Sequence, residues 1–194
     1  LRNPEGTTTI LTEGSLSQIN AGASLQGHTV IIDAVNGIGG EDNPVRLRVG
    51  EGGITAVTQT GDVYLSQSGG DLGVIRIGTG DGHVNVEAVN AIVNLRDDAQ
   101  RAIYGGTLSL RAGGDVGHLD RGLAIDTGVG VAPVDGRVPL GASALNVTSG
   151  GDVHVIEVDG DLQVEQLVAV GTLRVRVDNG DLINAFERGE LDEE

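Results

Sequence analysis

The sequence predicts an all-β chain wound as a parallel β-helix, or β-solenoid, with coils of about 20 residues. Three observations carry that prediction: an internal repeat, strands that alternate apolar and polar residues, and an interior of small aliphatic side chains. The repeat shows in "GDVYLSQSGGDLGV" (Gly61–Val74) and "GDVHVIEVDGDLQV" (Gly151–Val164), identical at seven of fourteen positions. It extends backwards. Residues 27–49 lie over residues 105–127 at an offset of 78, so that Val30 meets Leu108, Ile32 meets Leu110, Ile38 meets Val116, Gly39 meets Gly117 and Asp42 meets Asp120. The offset grows to 90 at the GDV phrase because the second copy carries an insertion near "GVGVAPVDGRVP". "GTLRVRVDNGDLI" (Gly171–Ile183) restates "GGTLSLRAGGDV" as a partial third copy.

The strands follow in order along the chain. "DVYLSQS", "VIRIG", "HVNVEAV", "TLSLRA", "DVHVIEV", "DLQVEQLV" and "TLRVRV" alternate apolar and polar residues, the period of a half-buried strand. Gly-Gly, Gly-Asp and Asn-Gly turns bound them. Turns about nine or ten residues apart give a coil of two or three short strands, which buries its apolar stripe only by stacking on its neighbours. Roughly ten such coils make a rod on the order of 45–50 Å long. An antiparallel sandwich also shows short, evenly spaced strands. Copies that keep their turn residues while varying in length fit the solenoid better. The reading is a single domain over 1–194, with imperfect copies at about 15–80 and 95–170 and a partial copy and cap over 171–194. Phe186 is expected to plug the last coil, and the acidic tail to blunt the exposed strand edge. "NLRDDAQRAI" reads as an interrupting loop or helical turn.

Composition bounds the chemistry. Gly supplies 33 of 194 residues, aromatics are 2 %, and Cys, Met, Trp and Lys are absent. The 39 % hydrophobic content and its clear period oppose disorder. Without Cys there is neither a disulfide framework nor thiol catalysis. No apolar run is long enough to span a membrane. The chain starts at Leu1, which suggests a mature form or an excised piece. A formal charge of −16 opposes binding to nucleic acid phosphates. That acidity has two readings, solubility and divalent-cation binding by turn carboxylates.

The order "TLSLRA–GGDVG", then "VRLRV", then "ITAVTQT–GDVYLSQSGGDLGV" resembles the repeats of filamentous-haemagglutinin-like adhesins and of bacterial β-strand-repeat surface proteins, over roughly residues 15–183. The resemblance implies export to the cell surface or beyond, a right-handed β-helical shaft, and a role in adhesion, biofilm or extracellular filaments. Its implied partners are other copies of the chain, matrix components, carbohydrate or a host surface. The amino-terminal secretion domain typical of two-partner export is not evident, and no Arg-Gly-Asp motif occurs.

Candidate sites are few. The Gly-Asp turn residues Asp62, Asp71, Asp81, Asp152, Asp161 and Asp181 are the candidate calcium ligands, since calcium takes six to eight oxygens. The competing reading is structural, because Asp after Gly caps a tight turn through its own side chain. The calcium nonapeptide pattern itself is not met. Polysaccharide hydrolases and lyases also use β-helices, with paired acids flanking the glycosidic bond. Asp97 with Asp98, or Asp81 with Glu87, are the pairs available. Such an enzyme usually offers aromatic platforms, and this chain has Tyr64, Tyr104 and Phe186 alone, so catalysis is not expected. His28, His83, His118 and His154 are scattered, although His83, Asn85 and Glu87 share one strand face. His154 stands where the first copy has Tyr64, which suggests an outward-facing position. "NVT" at Asn146–Thr148 reads as a plain strand-end triplet.

Overall fold

The computed structural model describes residues 1–20, 22–131 and 143–184. Among them are fifteen strands and no α-helix: β1 (Arg2–Thr12), β2 (Leu25–Ala34), β3 (Val45–Thr58), β4 (Val63–Gln67), β5 (Leu72–Thr79), β6 (Val84–Ala88), β7 (Ile92–Asn94), β8 (Ile103–Gly105), β9 (Leu108–Ala112), β10 (Leu123–Thr127), β11 (Leu145–Ser149), β12 (Val153–Glu157), β13 (Leu162–Ala169), β14 (Leu173–Val177) and β15 (Leu182–Asn184). Every pairing between them is parallel, which selects the solenoid over the sandwich.

Two ladders run the length of the rod. The first joins the leading ends of β1, β2 and β3 to β4, β6, β9, β11 and β13. The second joins their trailing ends to β5, β8, β10, β12 and β14. Each ladder thus has eight rungs, from coils of roughly 22 residues. Fewer coils form than the expected ten because several carry excursions. Ile103 pairs with Ile77 across loop 95–102, and Leu145 lies 37 residues beyond its partner Leu108. Loop 95–102 contains no helical turn.

Stacking aligns inward side chains into columns. Ile10, Ile32, Ala56, Ile77, Ile103, Ile125, Glu157 and Val177 form one, and Val63, Val84, Leu108, Leu145 and Val164 another. The largest fully buried side chains are all Ile or Leu. Two short strands and two turns leave a narrow interior, so the shortage of large aromatic side chains is a fit to its width. Hydroxyls complete the corners: Thr79 donates to Gly61 O at 2.6 Å and accepts from Gly82 N at 3.2 Å, and Ser149 donates to Gly114 O at 2.7 Å and accepts from Gly151 N at 3.1 Å.

The repeat copies fall on alternate ladders. Val63 opens the fourth rung of the first ladder and Val153 the seventh rung of the second, three and a half coils apart. Val30 and Leu108 stand in the same relation, as do β5 and β13. The working repeat is therefore half a coil, one strand and one turn. The offsets of 78 and 90 describe the same displacement with and without the insertion. Phe186, the acidic tail and most of "GVGVAPVDGRVP" lie outside the described residues.

Gly39 and Gly117 show why the phrase is kept. At each, φ is near +75° (75° and 73°), the chain leaves the ladder for five residues, and it returns at Val45 or Leu123 in the next inward position. A Cβ at Gly117 would lie 2.1 Å from His154 O, and at Gly39 2.4 Å from Tyr64 O. Gly40, in the first excursion, has open space around it and no positive φ. Gly117→Ala is therefore expected to lower unfolding free energy by about 1–3 kcal/mol, while Gly40→Ala stays within about 0.5 kcal/mol of the parent. Urea denaturation of the two variants checks the contrast.

Candidate functional site

The Gly-Asp carboxylates sit at the turns between ladders, and each of those at Asp62, Asp71, Asp81, Asp152 and Asp161 is spent across coils. Asp62 Oδ1 accepts from His83 N at 2.8 Å, and Asp81 Oδ1 reaches back to Gly61 N at 3.0 Å, a reciprocal pair. Asp71 Oδ1 accepts from Ala91 N at 3.2 Å, Asp152 Oδ1 from Thr172 N at 2.6 Å, and Asp161 Oδ1 from Asp181 N at 2.9 Å. Asp181 enters as a backbone donor. The partner is about one coil away each time, so a turn residue satisfies the orphan N–H of the neighbouring turn, where the ladder has no carbonyl to offer. Asp115, whose Oδ1 accepts from Asp152 N at 2.7 Å, belongs to the same set. Its signal is the "GGDV" of Gly113–Val116, the same Gly-Asp pair as the others.

The structure therefore stacks these aspartates as separate staples. Among the described residues no three His, Cys, Asp or Glu side chains gather where they could hold one ion.

His154 faces outward from β12, between the inward Val153 and Val155, yet it is covered. It is 4 % exposed, and its Nδ1 has no hydrogen-bond partner. The excursion through residues 118–122 leaves at Gly117, directly over the His154 backbone, and returns at Gly122 against the Ile156 side chain. Tyr64 is half-buried beside the first excursion. Both copies aim this side chain at the aspartate two residues earlier: Tyr64 OH donates to Asp62 Oδ2 at 3.4 Å, and His154 Nε2 lies 3.8 Å from Asp152 Oδ2. His28, His83 and His118 are exposed and apart. "NVT" lies inside β11 and not at a strand end; Asn146 Nδ2 donates to Glu165 Oε2 at 2.8 Å.

The paired acids are engaged elsewhere. Asp97 and Asp98 line a depression of about 430 Å³ with Arg96, Arg121 and Arg176. Arg96 clamps Asp98 through two bonds, Nε–Oδ1 at 2.7 Å and Nη2–Oδ2 at 2.5 Å, and holds its carboxyl below the usual range. A glycosidase acid needs the opposite shift. Asp81 is a staple, while Glu87 faces outward between Ser66 and Arg111. Tyr104 provides no open platform: it is 7 % exposed, packs on Gly78, and lies beneath Arg101 and Arg76 at 4.3 and 5.0 Å from its ring centre. Arg101 in turn pairs with Asp126.

Sequence reasoning missed two buried acids, Asp126 on β10 and Glu157 on β12. Glu157 is 0 % exposed, between Ile125 and Val177 in the aliphatic column. Its carboxyl accepts from Thr127 N at 3.2 Å and Thr127 Oγ1 at 3.1 Å. Burial pushes it up to about 9, against the pull of the Thr127 bonds, and nearby Asp126 adds to the rise. Glu157 is therefore a neutral acid at pH 7. The available signal is its counterpart, Gln67, an isosteric neutral side chain that is 1 % exposed. Gln67 donates from Nε2 to Gly69 O at 2.7 Å and accepts from Val49 N at 3.0 Å.

Comparison with family models, curated proteins and solved structures finds no match to this chain.

Two outcomes follow from this geometry. Asp152→Ala leaves the Thr172 N–H without its acceptor and is expected to cost about 1–3 kcal/mol. Asp152→Asn, which keeps an oxygen there, is expected to retain most of that stability, read by thermal unfolding. For Glu157, the folded value lies above the ordinary 4.5, so the folded state holds a proton that the unfolded chain has lost. Stability from this group is complete below pH 4.5 and falls as pH rises towards 9, by up to about 1.4 kcal/mol per pH unit. Glu157→Gln is expected to flatten that decline, measured as the urea midpoint against pH; parallel curves for the two proteins would refute the assignment.

Proposed function

We propose that the chain is a non-catalytic structural segment, a shaft, of a secreted or cell-surface bacterial adhesin or extracellular filament. The observation that carries this reading is the use made of the repeated phrase: its aspartates and glycines serve the joint between one coil and the next. Residues repeated for geometry point to a part whose work is to hold a length and a shape. The order of phrases, which resembles filamentous-haemagglutinin-like and β-strand-repeat surface proteins, supports the same conclusion. So does Asp98, held ionised by Arg96 and unsuited to protonating a leaving group.

Assembly from end to end belongs to this proposal. The interior columns end half-covered, at Ile10 and Leu16 on one side and at Val175 and Val177 on the other. Further coils, whether of a longer chain or of another copy, would continue the same parallel pairing, a head-to-tail contact that extends without closing.

The test is thermal unfolding by circular dichroism with millimolar calcium and with chelator, alongside electron microscopy of both samples. A β-type spectrum with a melting point indifferent to calcium is expected, with rod-shaped particles or filaments on the grid. A melting point raised by tens of degrees by calcium would replace the passive shaft with a metal-dependent module.

A further inference from the structure

The outward side of the first ladder, at the first three coils, carries an arrangement that neither the staples nor the core requires. Arg46 and Arg48 alternate with buried Val45, Leu47 and Val49 on β3, so both point outward, about 7 Å apart along the strand. Arg2 pairs with Gln26, which pairs with Arg48, and this puts Arg2 two rungs from Arg48, about 10 Å away. The three arginines line a depression of about 370 Å³ together with Ser24, Gln26 and Ser68, and no carboxylate is among its described lining residues. Arg48 Nε is steered by Ser68 Oγ at 3.4 Å.

This is unusual for a chain with 28 acidic residues against 12 arginines. Three other guanidiniums find carboxylates, Arg96 with Asp98, Arg101 with Asp126, and Arg176 with Asp178, while Arg76, Arg111, Arg121 and Arg174 show no ion pair among the described residues. What sets this site apart is that three arginines meet with no carboxylate among its described lining residues. Among the described residues Arg2, Arg46 and Arg48 form no ion pair. Three fixed cations, an amide and two hydroxyls converge, so the depression is rich in donors and its charge is uncompensated. Guanidinium forks bind carboxylate and phosphate oxygens in pairs. Its charge asks for an anion, and the −16 of the whole chain sets the size of that anion. A long polyanion would run out over acidic surface, whereas a compact one keeps all its charge on the arginines.

We propose that Arg2, Arg46 and Arg48 form a binding site for a compact multivalent oxyanion. Its oxygens belong to phosphoryl groups or to clustered carboxylates. The bound anion bridges the first and third coils, and its affinity weakens as salt is raised.

Isothermal titration of the whole chain with inorganic pyrophosphate and with citrate, at low salt, is the experiment. Binding of at least one is expected, and the preferred one identifies the oxyanion. Arg48→Gln is expected to weaken it about tenfold, and Arg46→Gln with Arg48→Gln to abolish it. Arg176→Gln, on the other ladder and already paired with Asp178, is expected to leave it unchanged. The substituted side chains are exposed, and circular dichroism confirms that each variant folds. The proposal is overturned if neither anion binds, if the double variant still binds, or if Arg176→Gln weakens binding equally. Binding of polyglutamate while both small anions fail would also overturn it, in favour of a polymer.

Discussion

Parallel pairing between successive coils is the constraint on which everything else rests. The strands of a coil have no backbone partner within that coil; their N–H and C=O groups are met by the coils on either side. Once strands are stacked in parallel register, identical positions superpose, and a single inward side chain becomes a column. The column is narrow, which favours aliphatic members, mostly Ile, Leu and Val, and leaves little room for rings. At the corners the ladder is interrupted, and unpaired N–H groups recur at every turn. The aspartates and the corner hydroxyls of Thr79 and Ser149 exist to meet them.

This hierarchy explains which positions vary between copies and which do not. Gly39 and Gly117 are held by backbone atoms on the adjacent coil, against which no side chain could fit. Tyr64 and His154 differ because an excursion and a turn aspartate define their surroundings, and either ring can occupy the space. Gln67 and Glu157 differ only in the atom that carries a hydrogen. A carboxyl buried in an aliphatic column keeps its proton and so takes the place of an amide.

Much of the fold was legible in advance because its determinants are local. Alternation in "TLSLRA" and "DVHVIEV" marks strands, and the Gly-Asp pairs mark corners, whatever lies next to them. The candidate site was less legible. Asp62 and Asp152 could be recognised as turn residues, yet what their carboxylates bind is set by a coil about 20 residues on in one case and by the next turn beyond β13 in the other. The burial of His154 depends on an excursion that begins 37 residues earlier, at Gly117. Alternation alone assigns that position to the outside of the strand, which is correct for its direction and wrong for its exposure. The arginines of β1 and β3 meet only because one intervening strand, β2, brings residue 2 within two rungs of residue 48.

The half-coil repeat gives the rod a parity. A segment copied an even number of half-coils along reappears on the same side, and one copied an odd number reappears on the opposite side. The excursions at Gly39 and Gly117 are an odd number apart, so they project from different sides of the shaft although they spring from the same phrase. Lengthening such a chain by whole coils preserves every surface downstream. Adding or losing one half-coil turns all of them over at once while leaving the core columns intact. A fold of this kind can therefore reverse the direction in which a binding surface faces without altering a single residue of that surface.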